Sequence, residues 1–520
     1  MTAASSQIIE VERVNSPPPS MKVLRAQAMK RRLDRVRNDT PVPLCVDLDR
    51  TLISTNVTHE LILAAFHMKP WAALRLLPAM LLDRAGFASE LLSLAEPGLA
   101  TIPFRKSVLQ FVREERDKGR RIVLVSTSGW VLAQAVADHV GDFVEVVASQ
   151  DGYQSQNTMA RLLCERFGPG RFDYVGHSRA AMPLWQTSYR AILVAPSARL
   201  MRHKSWQSQS SLILAPRRRP LKGYLQAIRP SAWIINTLVF LPILWAPSAW
   251  GIEAFVKTYL AFCAFCLAMS ACYLLNDLAD IRSDRQDSAK RGRALSSGWL
   301  SIRGGMLLAG LFLAASGSIA ALLSPIFAAI ILAYVALALA YSLWLKKFLL
   351  VDLLVLTGLC LAPTLWGMGA EITAPPYWLT IFCAGFFLCL ASLHRFTELR
   401  RWDIGENGDR SFAAGYTADD APMVATLGIA AGLVSAVIVA LFAVSTQAAM
   451  TYRSPEILWL LCPLLVAWTG KIWISAGRGD VEHDIITYVV SAPFSRIAAA
   501  AGALIVLLAR FIDINIIPGI

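Results

Sequence analysis

Apolar and polar positions divide this chain into two unlike halves. Up to about Lys222, short apolar runs alternate with charged segments; beyond it, long apolar runs follow one another with short polar loops between them. In the first half, Pro43-Leu44-Cys45-Val46 and Arg121-Ile122-Val123-Leu124-Val125-Ser126 read as strands. Short apolar runs bounded by polar turn signals suit strands covered on both faces. The stretch from His59 to Leu99 reads as a helical cap, because Lys69, Arg75 and Asp83 interrupt it too often for a membrane span. In the second half, nine runs approach the ~20 residues that cross a bilayer. They are approximately 232–249, 255–275, 305–323, 326–345, 349–369, 377–393, 423–444, 457–474 and 497–512. The pattern predicts a flexible basic arm over 1–40, an α/β domain over 41–200, a basic linker over 201–222 and an all-α polytopic membrane bundle over 223–520.

Composition agrees with a membrane protein: 55% of the 520 residues are hydrophobic and 17% are charged. A net charge of +13 raises nucleic acid as a partner, but the basic residues flank apolar runs, so none is expected. Anionic lipid and phosphate substrates fit that placement better. Arg217-Arg218-Arg219-Pro220 precedes the first run, and Arg282, Arg285, Lys290, Arg291, Arg293 and Arg303 lie between the second and third. Lys346 and Lys347 follow the fourth; Arg395, Arg400, Arg401 and Arg410 follow the sixth; Lys471 and Arg478 follow the eighth. Arg453 is nearly alone on the other side. By the positive-inside rule these loops and the amino-terminal domain are cytoplasmic, and an odd number of spans puts the carboxyl terminus outside, across the cell (inner) membrane. The nine cysteines are scattered, and Cys263-x-x-Cys266 has no second pair or histidine to complete a metal site, so no disulfide framework is implied. No signal peptide is expected at the amino terminus, where Pro17 to Pro19 and a basic run precede any long apolar stretch.

The segment Asn276-Asp277-Leu278-Ala279-Asp280-Ile281-Arg282-Ser283-Asp284 carries the most chemistry. On a helix Asp277, Asp280 and Asp284 fall at i, i+3 and i+7, and Asn276, Asp280 and Asp284 at i, i+4 and i+8. All four side chains are therefore expected on one side. Carboxylates that close repel one another and are costly beside a membrane core. Mg²⁺ bridging Asn276, Asp277, Asp280 and Asp284 to a diphosphate removes that cost; the plainer alternative is a solvated helix end. Lys290, Arg291 and Arg293, on the loop beyond, suit charge-assisted bonds to phosphates. Arg395 and Glu398 are placed to line the opposite wall, or to form a helix-end ion pair. Lys346 reads either as a phosphate ligand or as a topology anchor, and Arg229 and Trp233 either as site residues or as interfacial anchors.

Two resemblances add to this. Asp47-Leu48-Asp49-Arg50-Thr51 after a strand resembles the D-x-D-x-T motif of the haloacid dehalogenase family. That likeness implies a Rossmann-like fold, with Asp47 as nucleophile, Asp49 as acid–base and Ser126 in the phosphate-binding hydroxyl position. Asp173 to Ala181 resembles the family's last motif, but His177 and Ala181 stand where two metal-binding acids belong, and Ser155 to Thr158 supplies no lysine. The implied phosphatase site (Asp47, Asp49, Ser126, His177) is therefore expected to be degenerate and inactive.

The second half resembles the UbiA-type prenyltransferase family in its N-D-x-x-D-x-x-x-D motif, in Ile228-Arg229-Pro230-Ser231-Ala232-Trp233, and in Tyr341-Ser342-Leu343-Trp344-Leu345-Lys346. Within the family it is most similar to the decaprenyl-phosphate phosphoribosyltransferase branch. Lys290-Arg291-Gly292-Arg293 and His394-Arg395-Phe396-Thr397-Glu398-Leu399 carry that likeness, with Ala294 in place of a proline, His394 in place of a lysine, and Ile234 where a lysine usually follows Trp233. The resemblance implies a helical bundle around a cavity and a Mg²⁺-dependent transferase. The transferred group is then phosphoribose, from phosphoribosyl diphosphate to a polyprenyl phosphate. A second reading moves a polyprenyl group from its diphosphate to an aromatic acceptor, and a third is a non-catalytic membrane scaffold.

Overall fold

The computed structural model describes residues 20–35, 42–69, 101–149, 154–196, 198–202, 211–214, 220–240, 251–287, 290–369, 377–404, 415–481 and 485–513, with isolated positions between 70 and 100. The chain forms two compact units, Met1–Arg219 and Pro220–Ile520.

The first unit is built on six parallel strands: β1 (Leu44–Asp47), β2 (Ile122–Gly129), β3 (Glu145–Ser149), β4 (Asp173–Gly176), β5 (Ala191–Val194) and β6 (Ser211–Leu214). Their order is β3-β2-β1-β4-β5-β6, which reverses direction between β1 and β4. All four residues of β1 are buried, as expected when helices cover both faces of a parallel sheet. Side chains alternate along the strand: Leu44 and Val46 join one core with Val108, Leu124 and Val136, whereas Cys45 joins the other with Val123, Tyr174 and Trp185. This is a doubly wound α/β fold. The expected cap is described only in α2 (Val57–Met68) and a few further positions.

Both expected boundaries shift. Residues 21–35, expected within a flexible arm, form instead α1 (Met21–Arg35). Its Leu24 and Ala28 are buried, and Gly170, at φ +71°, passes so close that a Cβ there would sit 2.9 Å from the Ala28 carbonyl oxygen. Residues 1–19 lie outside the described residues. The segment 211–214, expected within a linker, is strand β6, paired in register from Ser211 to Leu214 with β5. Its Leu-Ile-Leu run is short, and the basic residues around it masked the strand signal.

The second unit is helical. Its principal helices are α3 (Ile252–Ala279), α4 (Ile281–Gln286), α5 (Ile302–Leu323), α6 (Pro325–Leu343), α7 (Val351–Gly369), α8 (Tyr377–Ile404), α9 (Ala421–Ala443), α10 (Leu461–Arg478) and α11 (Pro493–Phe511). Among the described residues, seven helices are long and apolar enough to cross a membrane, and the first and fifth expected spans correspond to shorter apolar helices, Pro230–Phe240 and Val351–Leu365. Residues 241–250 lie outside the described residues. Large apolar side chains such as Leu307, Ile497 and Leu504 face outward, which suits lipid rather than water. Helices approach one another at small residues: on α9, Gly428 faces Trp473 and Ser392, and Gly432 faces Thr469 and Cys389. A Cβ at either glycine would lie 2.7 Å or less from its nearest neighbour, Trp473 for Gly428 and Thr469 for Gly432, so the spacing works as a small-xxx-small contact. The protein is an integral membrane protein.

Candidate active site

The acidic segment spans a break between two helices. α3 ends at Ala279, Asp280 takes φ −93° and ψ 10°, and the chain resumes as α4. Bonds from Asp280 N to Asn276 O (2.8 Å) and from Asp284 N to Asp280 O (2.9 Å) carry the backbone through it. The four side chains expected on one side are thereby divided. Asp277 and Asp284, each 3% exposed, converge on Arg293, whose Nη1 donates to Asp277 Oδ1 at 3.3 Å and to Asp284 Oδ2 at 2.8 Å. Asp280 instead receives Lys346 Nζ on both oxygens, at 2.7 and 2.8 Å. The Asn276 side chain makes no hydrogen bond among the described residues, and Arg291 is exposed and forms no ion pair there.

Arg229 completes the cluster. Its Nη2 donates to Asp277 Oδ1 at 2.6 Å, and its guanidinium lies 4.7 Å from the centre of the Tyr273 ring. Arg229 has φ +54°, a left-handed conformation that costs an arginine ~1–2 kcal/mol. Asp277 and Tyr273 together hold it there. Trp233 turns inward, and its Nε1 donates to Ser270 Oγ at 2.9 Å. Burial raises the Asp284 carboxyl above the ordinary range, Arg293 draws it back, and the Asp277 charge raises it again. Such a carboxylate depends on its cation to stay ionised.

A second group faces this one from later helices. Arg395, 5% exposed, donates through Nη1 to Glu398 Oε2 at 2.8 Å. Glu398 Oε1 lies 4.0 Å from Lys290 Nζ, which ties this pair to the loop bearing Arg293. Sequence reasoning missed the other partner of Arg395, Asp352, which is 1% exposed and accepts from Arg395 Nε at 2.8 Å. A signal existed: a lone acid at the head of an apolar helix is expensive without a partner.

Among the described residues, no three acidic, histidine or cysteine side chains group as a metal site, so no all-protein cage is formed. Mg²⁺, however, is commonly held by one or two carboxylates plus substrate phosphates. Asp277 and Asp284 offer hard oxygens within 3.3 Å of one nitrogen; they fit an ion that arrives with a diphosphate. Elsewhere in this unit an apolar cavity of about 970 Å³ is lined by Trp378, Phe382, Phe386, Ile438 and Trp468 among others, and none of the acidic cluster lines it.

The first unit holds a different set of carboxylates, at the switch point where open α/β sheets bind ligands. Asp47 ends β1, and its Oδ2 accepts from Thr51 Oγ1 at 2.9 Å. His177 follows β4, with Nδ1 3.2 Å from Thr51 Oγ1 and 3.8 Å from Asp47 Oδ2. Asp49 accepts from Ser128 Oγ at 2.7 Å and from Val57 N at 2.9 Å. Burial pushes its carboxyl up to about 6, although both of these bonds favour the charged form. Ser126 is fully buried, and its Oγ accepts from Ser128 N at 3.1 Å. Ala181, in the second acid position, is also buried. Among the described residues no lysine or arginine pairs with Asp47 or Asp49.

A profile of the UbiA prenyltransferase family matches residues 239–491. Protein y4nM of Sinorhizobium fredii is 30% identical over 457 residues, covering 87% of this chain and 88% of that protein. A decaprenyl-phosphate phosphoribosyltransferase of Mycolicibacterium smegmatis is 32% identical over 204 residues, covering 38% of this chain and 63% of that protein. A solved UbiA homologue from Archaeoglobus fulgidus, bound to GPP and Mg²⁺, aligns over 55% of this chain and 99% of its own at 19% identity, with a TM-score of 0.41. The membrane half of the chain thus carries a UbiA prenyltransferase family domain over residues 239–491.

Proposed function

We propose that the membrane unit transfers phosphoribose from phosphoribosyl diphosphate to a polyprenyl phosphate. The observation that carries this is the interleaving of Asp277, Asp280 and Asp284 with Arg229, Arg293 and Lys346. Such a site binds both a diphosphate and its counter-ion. The 32% identity to a phosphoribosyltransferase over 204 residues supports phosphoribose as the transferred group.

In the reaction, an oxygen of the polyprenyl phosphate attacks the anomeric carbon as that carbon's bond to the diphosphate oxygen breaks. Diphosphate leaves with the bonding pair. Asp277 and Asp284 would hold Mg²⁺, which supplies positive charge to the leaving group when bound. Arg293 and Arg229 bind phosphate oxygens, and the carboxylates that aim them hold those donors in place before reaction, so little reorganisation is needed. Lys346, steered by Asp280, adds a point charge, and Lys290, Arg395 and Glu398 orient the sugar end. The apolar cavity suits a polyprenyl chain. Loop charge supports a cytoplasmic site, with the amino-terminal unit on that side and the carboxyl terminus outside.

The haloacid dehalogenase-like unit is proposed to be inactive as a phosphatase, because His177 and Ala181 supply no metal acids and, among the described residues, no lysine pairs with Asp47 or Asp49 to balance a bound phosphate. Purified protein with Mg²⁺, labelled phosphoribosyl diphosphate and polyprenyl phosphate should yield lipid-linked ribose. Prenyl transfer to hydroxybenzoate without any lipid-linked ribose would reverse the assignment, and no turnover of either would favour a scaffold.

A further inference from the structure

We propose that Asp352 is a positioning residue of this site and that Tyr416 locks it in place. The inference rests on the diphosphate reading above. Asp352 is the second residue of α7, and it follows the exposed apolar run Phe348 to Val351. A carboxylate 1% exposed at the head of an apolar helix is retained only if its oxygens are satisfied. Both are. Oδ2 accepts from Arg395 Nε at 2.8 Å and lies 2.6 Å from Nη2, and Oδ1 accepts from the Tyr416 hydroxyl at 2.7 Å. The two guanidinium nitrogens on one side fix the plane of Arg395, and its Nη1 is then presented to Glu398. From Glu398 the contact passes to Lys290.

Two loops bend to deliver the Tyr416 hydroxyl. The Tyr416 oxygen accepts from Leu350 N at 3.1 Å, and Leu350 has φ +63°. Gly415, at φ +70°, sits where a Cβ would come within 2.8 Å of the Lys347 carbonyl oxygen. A leucine in the left-handed region persists only where its surroundings over-determine it. The strained segment is also the one that carries Lys346 to Asp280. One clamp therefore sets two cations of the site: Lys346 through the loop, and Arg395 through Asp352.

The test is calorimetric binding of inorganic diphosphate with Mg²⁺ to the full-length protein, well below its melting temperature. Tyr416→Phe keeps the ring and removes one hydroxyl, and should weaken binding about fivefold. Asp352→Asn should weaken it more, about thirtyfold. The Tyr416→Phe effect should vanish in an Arg395→Gln background, because the lock then has nothing to aim. Wild-type affinity in Tyr416→Phe, with only a lowered melting temperature, would show a purely structural pin and overturn the proposal. If Asp352→Asn fails to fold, Tyr416→Phe alone decides. Wild-type protein that binds no diphosphate at all would instead overturn the transferase reading, and this inference with it.

Discussion

Asp277 and Asp47 are both buried carboxylates at the end of a structural element, but they keep different company. Asp277 shares Arg293 with Asp284 and has Arg229 besides. Asp47 meets a threonine hydroxyl and a histidine. Burying a charge costs several kcal/mol unless it is paired. The membrane cluster offsets that cost with cations that also suit a diphosphate. The switch-point pair does not, and its Asp49 shows the consequence in a carboxyl raised to about 6. A phosphate site needs its acids and its cations together.

The contrast can be broken most directly at Asp284. Asp284→Asn should lower lipid-linked ribose formation about a hundredfold or more, measured with labelled phosphoribosyl diphosphate; near-normal turnover would remove the acidic cluster from the chemistry. Arg293→Ala should cost about thirtyfold in kcat/KM, and it should make diphosphate binding less sensitive to salt.

Asp49 sharpens the other side. Its folded value, about 6, lies above the ordinary 3.8. Between these the folded state keeps a proton that the unfolded chain has released, so stability falls as pH rises through that window and stays lowered above it. The loss is about 3 kcal/mol, as an order of magnitude. Hydrogen exchange of the β1 amides, corrected for intrinsic rates, should show it between pH 4 and 7, and Asp49→Asn should flatten the profile. The smallest effect is expected at Arg291, which is exposed and outside the cluster. Arg291→Ala should change turnover by no more than about twofold and stability by under about 0.5 kcal/mol.

Much of this was legible in the chain because it rests on local pattern. The strand before Asp47, the apolar helices and the acids at helical spacing all announce themselves within a few residues. What escaped depends on contacts between distant segments. No local rule says that Lys346 turns to Asp280, 66 residues away, or that Asn276 is left outside the cluster when the helix breaks at Asp280. Tyr416 and Asp352 are 64 residues apart, and they meet through two bent loops, at Leu350 and at Gly415. β6 and α1 were hidden for a different reason: basic neighbours made short packed elements resemble a linker and an arm.

Ribosyl transfer by wild-type, Asp280→Asn and Asp47→Asn proteins, assayed side by side with Mg²⁺ and polyprenyl phosphate, tests the central claim that the acidic cluster carries the activity. Lipid-linked ribose should form with wild type and Asp47→Asn and fall to background with Asp280→Asn. Product that survives in Asp280→Asn, or disappears in Asp47→Asn, would contradict the account.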